Sequence, residues 1–386
     1  MKPANSILSG YGTTVFEVMS RLAIEHGTIN LGQGFPDEEG PEAVKRMVDT
    51  ATREFPNQYP PMMGIPELRQ AVAAHNRRFY GLEVDWQREV MVTSGATEAL
   101  AASILALVEP GDEVVAFEPL YDSYLPMLRR AGAEVKLVRL EPPDWAIPRE
   151  RLAAAFSDRT KLILFNTPMN PTGKVFSEDE LGFIAGLMQR HDAYAICDEV
   201  YEHLVFDGAR HHPLITLPGM RERAVRIGSA GKTFSMTSWK VGYVTAAPNL
   251  LSVIAKAHQF LVFTTPSNLQ RAVAYGLDNE EPWYTALAGE LQRKRDLLAD
   301  GLKRIGFDVL DCRSTYFMNA DFRPLGFNGS DEEFCRMLTI EGGVTVLPVS
   351  ALYATGDVNH LVRFCFCKRD EVLNGALACM ERYFAG

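Results

Sequence analysis

The sequence predicts an α/β fold: a mostly parallel sheet covered by helices on both faces, with a smaller α+β unit behind it. Two observations carry this reading. Strands and helices alternate from about residue 90 to 245, the pattern of a parallel sheet with helical crossovers. Two segments in that stretch, Lys161 to Asn166 and Ala193 to Cys197, are nearly continuous apolar runs. A strand buried on both faces has that composition. After residue 283 the pattern changes to a long helix followed by short strands and two further helices.

The elements follow in order. Val15 to Glu25 reads as a helix, and Leu31 to Asp37 as a glycine-rich turn. Pro41 to Thr52 and Ile65 to Tyr80 read as helices, separated by the stiff extended turn Asn57-Gln58-Tyr59-Pro60-Pro61. Val90 to Thr93 is a strand. Ser94-Gly95-Ala96-Thr97 then leads into a helix from Glu98 to Val108. A small-residue turn between strand and helix can aim backbone N–H groups at an anion, although ordinary strand–helix turns look the same. Glu113 to Phe117 and Glu134 to Leu140 read as strands, with a helix from Tyr121 to Arg130 between them. Pro148 to Phe156 is a short helix with proline in its first turn.

The strand Lys161 to Asn166 runs into the loop Asn166-Thr167-Pro168-Met169-Asn170-Pro171-Thr172-Gly173. Ser177 and Glu180 form a capping box for a helix reaching His191. The strand Ala193 to Cys197 ends in Asp198-Glu199-Val200-Tyr201. Asp198 is either a helix cap or a buried carboxylate that needs a cation or donors. Arg223 to Ile227 and Val241 to Ala246 are strands, and Leu250 to Phe260 and Ser267 to Leu277 are helices. In the last third, Trp283 to Ile305 is a long helix. Phe307 to Leu310, Tyr316 to Ala320 and Val362 to Phe366 read as strands, beside helices Asp331 to Ile340 and Glu371 to Tyr383.

Composition narrows the function. The chain has 386 residues, 47% hydrophobic and 23% charged, with formal net charge −10 and pI about 5.4. An acidic chain is a poor partner for nucleic acid. The six cysteines show no C-x-x-C pair and the eight histidines no H-x-x-x-H pair, so no metal site is expected. Cys365 and Cys367 alternate in a strand and should face one side as core thiols, and His211-His212 reads as a surface turn. Met1 to Gly10 lacks an apolar signal core and no apolar run is long enough to span a membrane. The expectation is a cytoplasmic protein with no membrane partner.

One stretch concentrates the chemistry: Ser229-Ala230-Gly231-Lys232, with Lys240 eight positions on. Lys232 lies just past a strand end, where open α/β sheets bind ligands. Small neighbours admit a bulky group, and a desolvated lysine can act as a neutral nucleophile. Gly231-Lys232-Thr233 ends like a phosphate-binding P-loop, but that loop needs a glycine where this chain has Arg226. A solvated loop lysine and a lysine that forms a Schiff base with pyridoxal phosphate remain. The second requires a carboxylate, hydroxyl or amide donors, and an anion site elsewhere in the chain.

Asn170-Pro171-Thr172-Gly173, Asp198-x-x-Tyr201, Ser229-x-x-Lys232 and Arg363 occur in an order and spacing that supply them. With Leu31 to Asp37 and Arg363 to Phe366, they make the chain resemble the fold-type I pyridoxal-phosphate-dependent aminotransferases of class I. The likeness is nearest to the kynurenine/glutamine/methionine aminotransferase-like group and covers nearly the whole chain. It implies a large domain with a mostly parallel seven-stranded-type sheet plus a smaller α+β domain. By this likeness residues 1–44 are an N-terminal arm and part of the small domain, 45–282 the large cofactor-binding domain, and 283–386 the small C-terminal domain.

The resemblance also assigns roles. Lys232 matches the Schiff-base lysine, and Asp198 the aspartate that keeps the pyridine nitrogen protonated. Asn170 and Tyr201 match donors to the ring 3′-oxygen, and Tyr121 the aromatic stacked on the ring. Gly95, Ala96, Thr97, Ser229 and Lys240 match the phosphate cup. Tyr59 matches a residue that reaches the neighbouring subunit's phosphate in a homodimer. Arg363 matches the bidentate grip on the substrate α-carboxylate, with Gly34 and Asn170 beside it. Phe16 and Phe263 stand at the substrate pocket. Phe16 replaces a tryptophan found in some relatives, Thr264 a histidine, Ser238 a glycine, and Lys240 an arginine. The implied reaction transfers an amino group from an L-amino acid, aromatic or sulfur-containing, to a 2-oxo acid. The alternative is a cysteine-S-conjugate β-lyase or another reaction of the same cofactor. A non-catalytic sensor of this fold would need a fused DNA-binding module. A nicotinamide dehydrogenase would need a G-x-G-x-x-G turn after its first strand.

Overall fold

The computed structural model describes residues 2–355 and 357–385. Seven strands form the large sheet in the order 90–93, 242–245, 224–229, 194–198, 160–166, 113–118, 134–139. Gly242–Thr245 runs antiparallel to both neighbours, and the remaining pairs are parallel. Among the described residues no helix is long and apolar enough to cross a membrane.

The apolar runs explain why the sheet is covered twice. Strand side chains alternate between faces. Ile163, Phe165, Ala195 and Cys197 pack on one face against Leu181, Ile184 and Met188 of the helix Glu178–Arg190. Leu162, Leu164 and Ile196 pack on the other against Leu100 and Ile104 of Gly95–Leu107 and Leu251 of Pro248–Leu261. The helix at 178 starts where the sequence signals it, because Ser177 and Glu180 satisfy each other's backbone N–H groups.

A four-stranded antiparallel sheet, in the order 347–348, 361–365, 317–321, 308–309, forms a second core. The N-terminal segment belongs to that core. Met19 and Leu22 of the helix Val15–His26 pack into it. Ile29–Asn30 pairs in parallel with Val344–Thr345. The long helix Glu281–Ile305 contributes Leu287, Leu291, Leu298 and Leu302.

Three expectations need correction. The helix placed at Glu98 begins at Gly95, since Gly95 (φ +76°) turns the chain directly from strand into helix. The helix placed at Tyr121 begins at Tyr124. Of the two readings of Asp198, the structure bears out the buried carboxylate, at the last residue of the strand Tyr194–Asp198. His211 is buried, not part of a surface turn, and its Nε2 lies 2.9 Å from Glu199 Oε2. Cys365 and Cys367 do face one side, both buried, with their sulfurs 3.2 Å apart.

Candidate active site

The parallel strands end at one edge, where open sheets bind ligands. The segments following Thr93, Glu118, Asn166, Asp198 and Ser229 all reach a cavity of about 210 Å³ there. Its lining includes Gly95, Ala96, Thr97, Tyr121, Asn170, Asp198, Tyr201, Ser229, Lys232 and Lys240. Ten residues named from sequence therefore meet around one space.

One end of the cavity suits an anion. Gly95, Ala96 and Thr97 open the helix Gly95–Leu107. Their N–H groups have no partners within the helix, and the helix dipole adds positive potential. Close packing enforces this cradle. A Cβ on Gly95 would lie 3.2 Å from Lys240 Cε, and one on Gly242 would lie 2.6 Å from the Gly95 carbonyl carbon. Ser229, Thr237 and Lys240 complete the wall.

The other end suits a protonated ring nitrogen. Asp198 is buried, and Tyr124 donates to its Oδ2 at 2.6 Å. Its Oδ1 is also buried and has no hydrogen-bond partner among the described residues. Burial raises the carboxyl to about 6, against the hydrogen bonds from Tyr124 and Val200 and the charge of Lys232. A cation placed at Oδ1 would remove that strain. The loop beyond the neighbouring strand is braced on the same residue: Asn166 Nδ2 donates to the Asp198 carbonyl at 2.7 Å, and the Asn170 N–H to Asn166 Oδ1 at 2.6 Å.

Lys232 stands between the two ends, in the short helix Ala230–Thr233. Burial lowers its pKa, the condition for a neutral amine. Its Nζ donates to Tyr316 Oη at 2.7 Å and lies 5.5 Å from the Tyr201 ring centre. Burial pushes the Tyr201 hydroxyl well above 10, which keeps it a hydrogen-bond donor.

Arg363 approaches from the smaller sheet. Its Nη1 donates to Asn170 Oδ1 and its Nη2 to the Gly32 carbonyl, both at 3.0 Å. Its Nε is buried without a hydrogen-bond partner among the described residues. Burial lowers the guanidinium to about 10. Phe317 covers one side at 3.9 Å and Phe16 stands 5.2 Å away. Gly34 lies against the Phe317 ring so closely that any Cβ there would collide with it.

Tyr59 and Phe263 are not brought to this cavity. They pair edge to face with centres 5.5 Å apart, beside a separate hollow lined by Asn57 to Pro60 and Thr264 to Asn268. Phe16 borders a further hollow of about 420 Å³ with Leu8, Tyr11, Leu120, Arg129 and Tyr353. Sequence reasoning missed Tyr124, Tyr316 and Thr237. Tyr124 lies one helical turn after Tyr121, a spacing that could have signalled it. Tyr316 is joined to Lys232 only by the tertiary fold.

These residues fit pyridoxal 5′-phosphate. The orphaned Asp198 oxygen meets the need of a ring nitrogen, the cradle at Gly95 that of a phosphate, and the buried amine that of an aldehyde. The comparisons agree. Residues 26–378 match the family described as Aminotransferase class I and II. The probable N-succinyldiaminopimelate aminotransferase of Mycobacterium tuberculosis is 46% identical over 383 residues, with 96% of each chain covered. A solved structure of an N-succinyldiaminopimelate aminotransferase from that organism superposes with TM-score 0.96, covering 99% of this chain and 100% of the other. The methionine aminotransferase of Escherichia coli is 40% identical, covering 98% of this chain and 97% of its own. A kynurenine–oxoglutarate transaminase of Dictyostelium discoideum is 39% identical, covering 95% and 93%. The protein is thus a pyridoxal-phosphate-dependent enzyme of fold type I, and the chain belongs to the class I and II aminotransferase family.

Proposed function

We propose that the enzyme transfers the amino group of an aromatic or sulfur-containing L-amino acid to a 2-oxo acid, with Arg363 holding the α-carboxylate. The observation that carries this reading is the apolar setting of Arg363. Its guanidinium is covered by Phe317 and Phe16, and Phe16 opens onto the hollow bounded by Leu8, Tyr11, Leu120 and Tyr353. A carboxylate bound at Nε would give the arginine its missing partner and leave the side chain directed at apolar surface.

In this reading bound pyridoxal phosphate supplies a carbonyl for the amino group and a ring that accepts electrons when the Cα proton leaves. The chain's own residues do the rest. Asp198 holds a proton on the ring nitrogen by charge. Asn170 and Tyr201 would hold the cofactor through its ring oxygen, and Tyr121, which lines the same cavity, would pack against the ring. Gly95, Ala96, Thr97, Ser229, Thr237 and Lys240 grip the phosphate. Lys232 Nζ takes up the substrate's Cα proton and gives it back, which its lowered pKa supports.

The same reading includes a homodimer and a two-domain chain, with 1–44 and 283–386 set against 45–282. Tyr59 is 83% exposed and Phe260 84%, beside the half-exposed Leu261, Val262 and Phe263. Exposed apolar side chains concentrated in this way support a subunit interface, with Tyr59 and Phe263 serving the neighbouring site.

A second reading has its own support. The 46% identity to the mycobacterial protein and Arg129 on the wall of the hollow beside Phe16 favour a long donor with a distal carboxylate. A panel of amino donors mixed with the holoenzyme, followed by the loss of bound-cofactor absorbance, tests both. Methionine, phenylalanine or kynurenine should convert the cofactor fastest. N-succinyl-diaminopimelate outrunning all three overturns the first reading for the second. A β-chloroalanine or S-conjugate donor that yields pyruvate and ammonia without conversion indicates the lyase reaction.

A further inference from the structure

We propose that Tyr316 is a positioning residue for the reaction, the group that holds the Lys232 amine and fixes where its lone pair points. This rests on the reading of Lys232 as the proton-carrying lysine.

The argument starts from the polarity of a hydrogen-bond chain. Tyr316 Oη lies 3.0 Å from the Gly34 carbonyl and 2.7 Å from Lys232 Nζ. A carbonyl can only accept, so the single tyrosine proton is committed to Gly34. Lys232 must therefore donate one N–H to Tyr316. The direction does not depend on whether the lysine is charged or neutral. In the neutral amine, one N–H is held and the lone pair is left to act as a base.

Burial protects this arrangement. Tyr316 is 1% exposed, and burial pushes its hydroxyl well above the ordinary value of 10. Burial lowers Lys232 at the same time. The tyrosine thus stays protonated while the amine becomes available, so the base in this pair is the lysine. Tyr316 neither gains nor loses a proton: the substrate's Cα–H proton passes to Lys232 Nζ, and the tyrosine keeps its own proton on Oη, donated to the Gly34 carbonyl.

The anchor is built by two distant segments. Tyr316 precedes the strand Phe317–Asp321, in which Asn319 is registered against Arg363. Its ring packs between Tyr201, at 5.4 Å, and Phe317, at 4.8 Å. Gly34 can bring its carbonyl to the hydroxyl only because it has no Cβ to strike Phe317. The same strand pair therefore carries the arginine for the substrate's carboxylate and the hydroxyl for the lysine.

Tyr316→Phe keeps the ring and removes the oxygen. Two measurements follow. In the apoenzyme, the pH dependence of Lys232 acylation by acetic anhydride, read by peptide mapping, reports the amine's own pKa. Loss of an acceptor disfavours the ammonium form, so the midpoint should fall by about one pH unit. In the holoenzyme, a single turnover with Cα-deuterated methionine should slow on the order of 10- to 100-fold and show an enlarged isotope effect, at unchanged cofactor affinity. Tyr316→Gln, which keeps an acceptor, should recover part of both and serves as the second variant if the first fails to fold. A wild-type labelling midpoint together with a wild-type isotope effect overturns the proposal. Borohydride reduction separates the two levels. Label on a lysine other than Lys232 overturns the reading of the site. Label on Lys232 with both Tyr316→Phe measurements unchanged overturns only the role of the tyrosine.

Discussion

Two buried groups of charge sit side by side in this fold, and they face different ways. In one, Arg226 of the strand Ala224–Ser229 reaches Glu199 Oε2 at 2.7 Å, Asn76 Oδ1 at 2.8 Å and the Glu202 carboxylate. Burial alone would raise Glu202, but Arg226 holds its carboxyl well below the usual range. Tyr80 also donates to Glu202, at 2.6 Å. In the other group, Asp198 and Arg363 keep Oδ1 and Nε without partners among the described residues. The first group turns its charge on itself, with Glu199 Oε1 its one carboxylate oxygen left unpartnered among the described residues. The second leaves charge for something that is not protein. Burial is the same in both, so burial alone does not mark a site. Direction does.

The largest test of that contrast is Asp198→Asn. An amide cannot hold a ring proton by charge, so transamination should fall by at least ~4 kcal/mol in barrier, measured as single-turnover conversion with cofactor bound. Near-normal turnover would place Asp198 with the self-paired group.

Arg226→Met should act in the opposite way. It leaves two buried carboxylates uncompensated, at a cost of about 3–5 kcal/mol in urea unfolding of the apoenzyme. The substrate's carboxylate contact should be untouched, so KM of the folded fraction should stay near wild type. An unfolding midpoint equal to wild type would refute the pairing.

Arg363→Lys retains charge and loses the fork. About 2–3 kcal/mol should go from kcat/KM, with cofactor affinity unchanged. An equal loss in cofactor binding would show that the arginine serves the ring.

A smaller effect carries a sign. Because the folded Asp198 carboxyl titrates at about 6, above its unfolded value of 3.8, the empty native state binds more protons than the unfolded chain between these values. Apoenzyme stability from this group is present below about pH 4 and is lost as pH rises through 6. Apo Asp198→Asn should therefore be more stable than wild type at pH 7, by about 3 kcal/mol, and the advantage should largely vanish at pH 4. Removing Asp198 stabilises the empty protein, and removing Arg226 does not. Equal stabilities at pH 7 would break the comparison.

The smallest expected change is at Tyr59. Tyr59→Phe should weaken cofactor binding by ~1.5 kcal/mol, the worth of one hydrogen bond to a charged acceptor, if the exposed apolar patch is a subunit join. Ultracentrifugation of the same samples gives the assembly state. A fully active monomer would remove Tyr59 from the site.

Much of this was legible because it is local. Strand ends carry Asp198, Asn170 and Lys232, and strands announce themselves by apolar runs. Period-two alternation placed Cys365 and Cys367 on one side, and their sulfurs do meet. What escaped is long-range. Nothing near Glu202 in sequence shows that Arg226, Tyr80 and His75 converge on it, or that His203 lies 2.8 Å from His75. These two histidines and Glu202 come close enough to invite a cation, but Arg226 already occupies the carboxylate. His211 was misread because two adjacent polar residues suggest a turn, whereas Glu199, twelve positions away, draws the first of them inside.

The pairing of Ile29–Asn30 with Val344–Thr345 has a consequence for synthesis. Thr28 and Thr345, 317 positions apart, share a 2.7 Å hydroxyl contact beside that pairing. A ribosome makes the chain in one direction, and contacts of such separation close late. The large sheet has all its strands once Thr245 has emerged, so Asp198 and Lys232 can meet early. Gly32 and Gly34 must wait, already made, for Tyr316 and Arg363 to arrive from the far end. A nascent chain can thus fold the floor of its cavity and still lack the wall proposed to recognise an amino acid. It acquires that wall only when its last strands leave the exit tunnel.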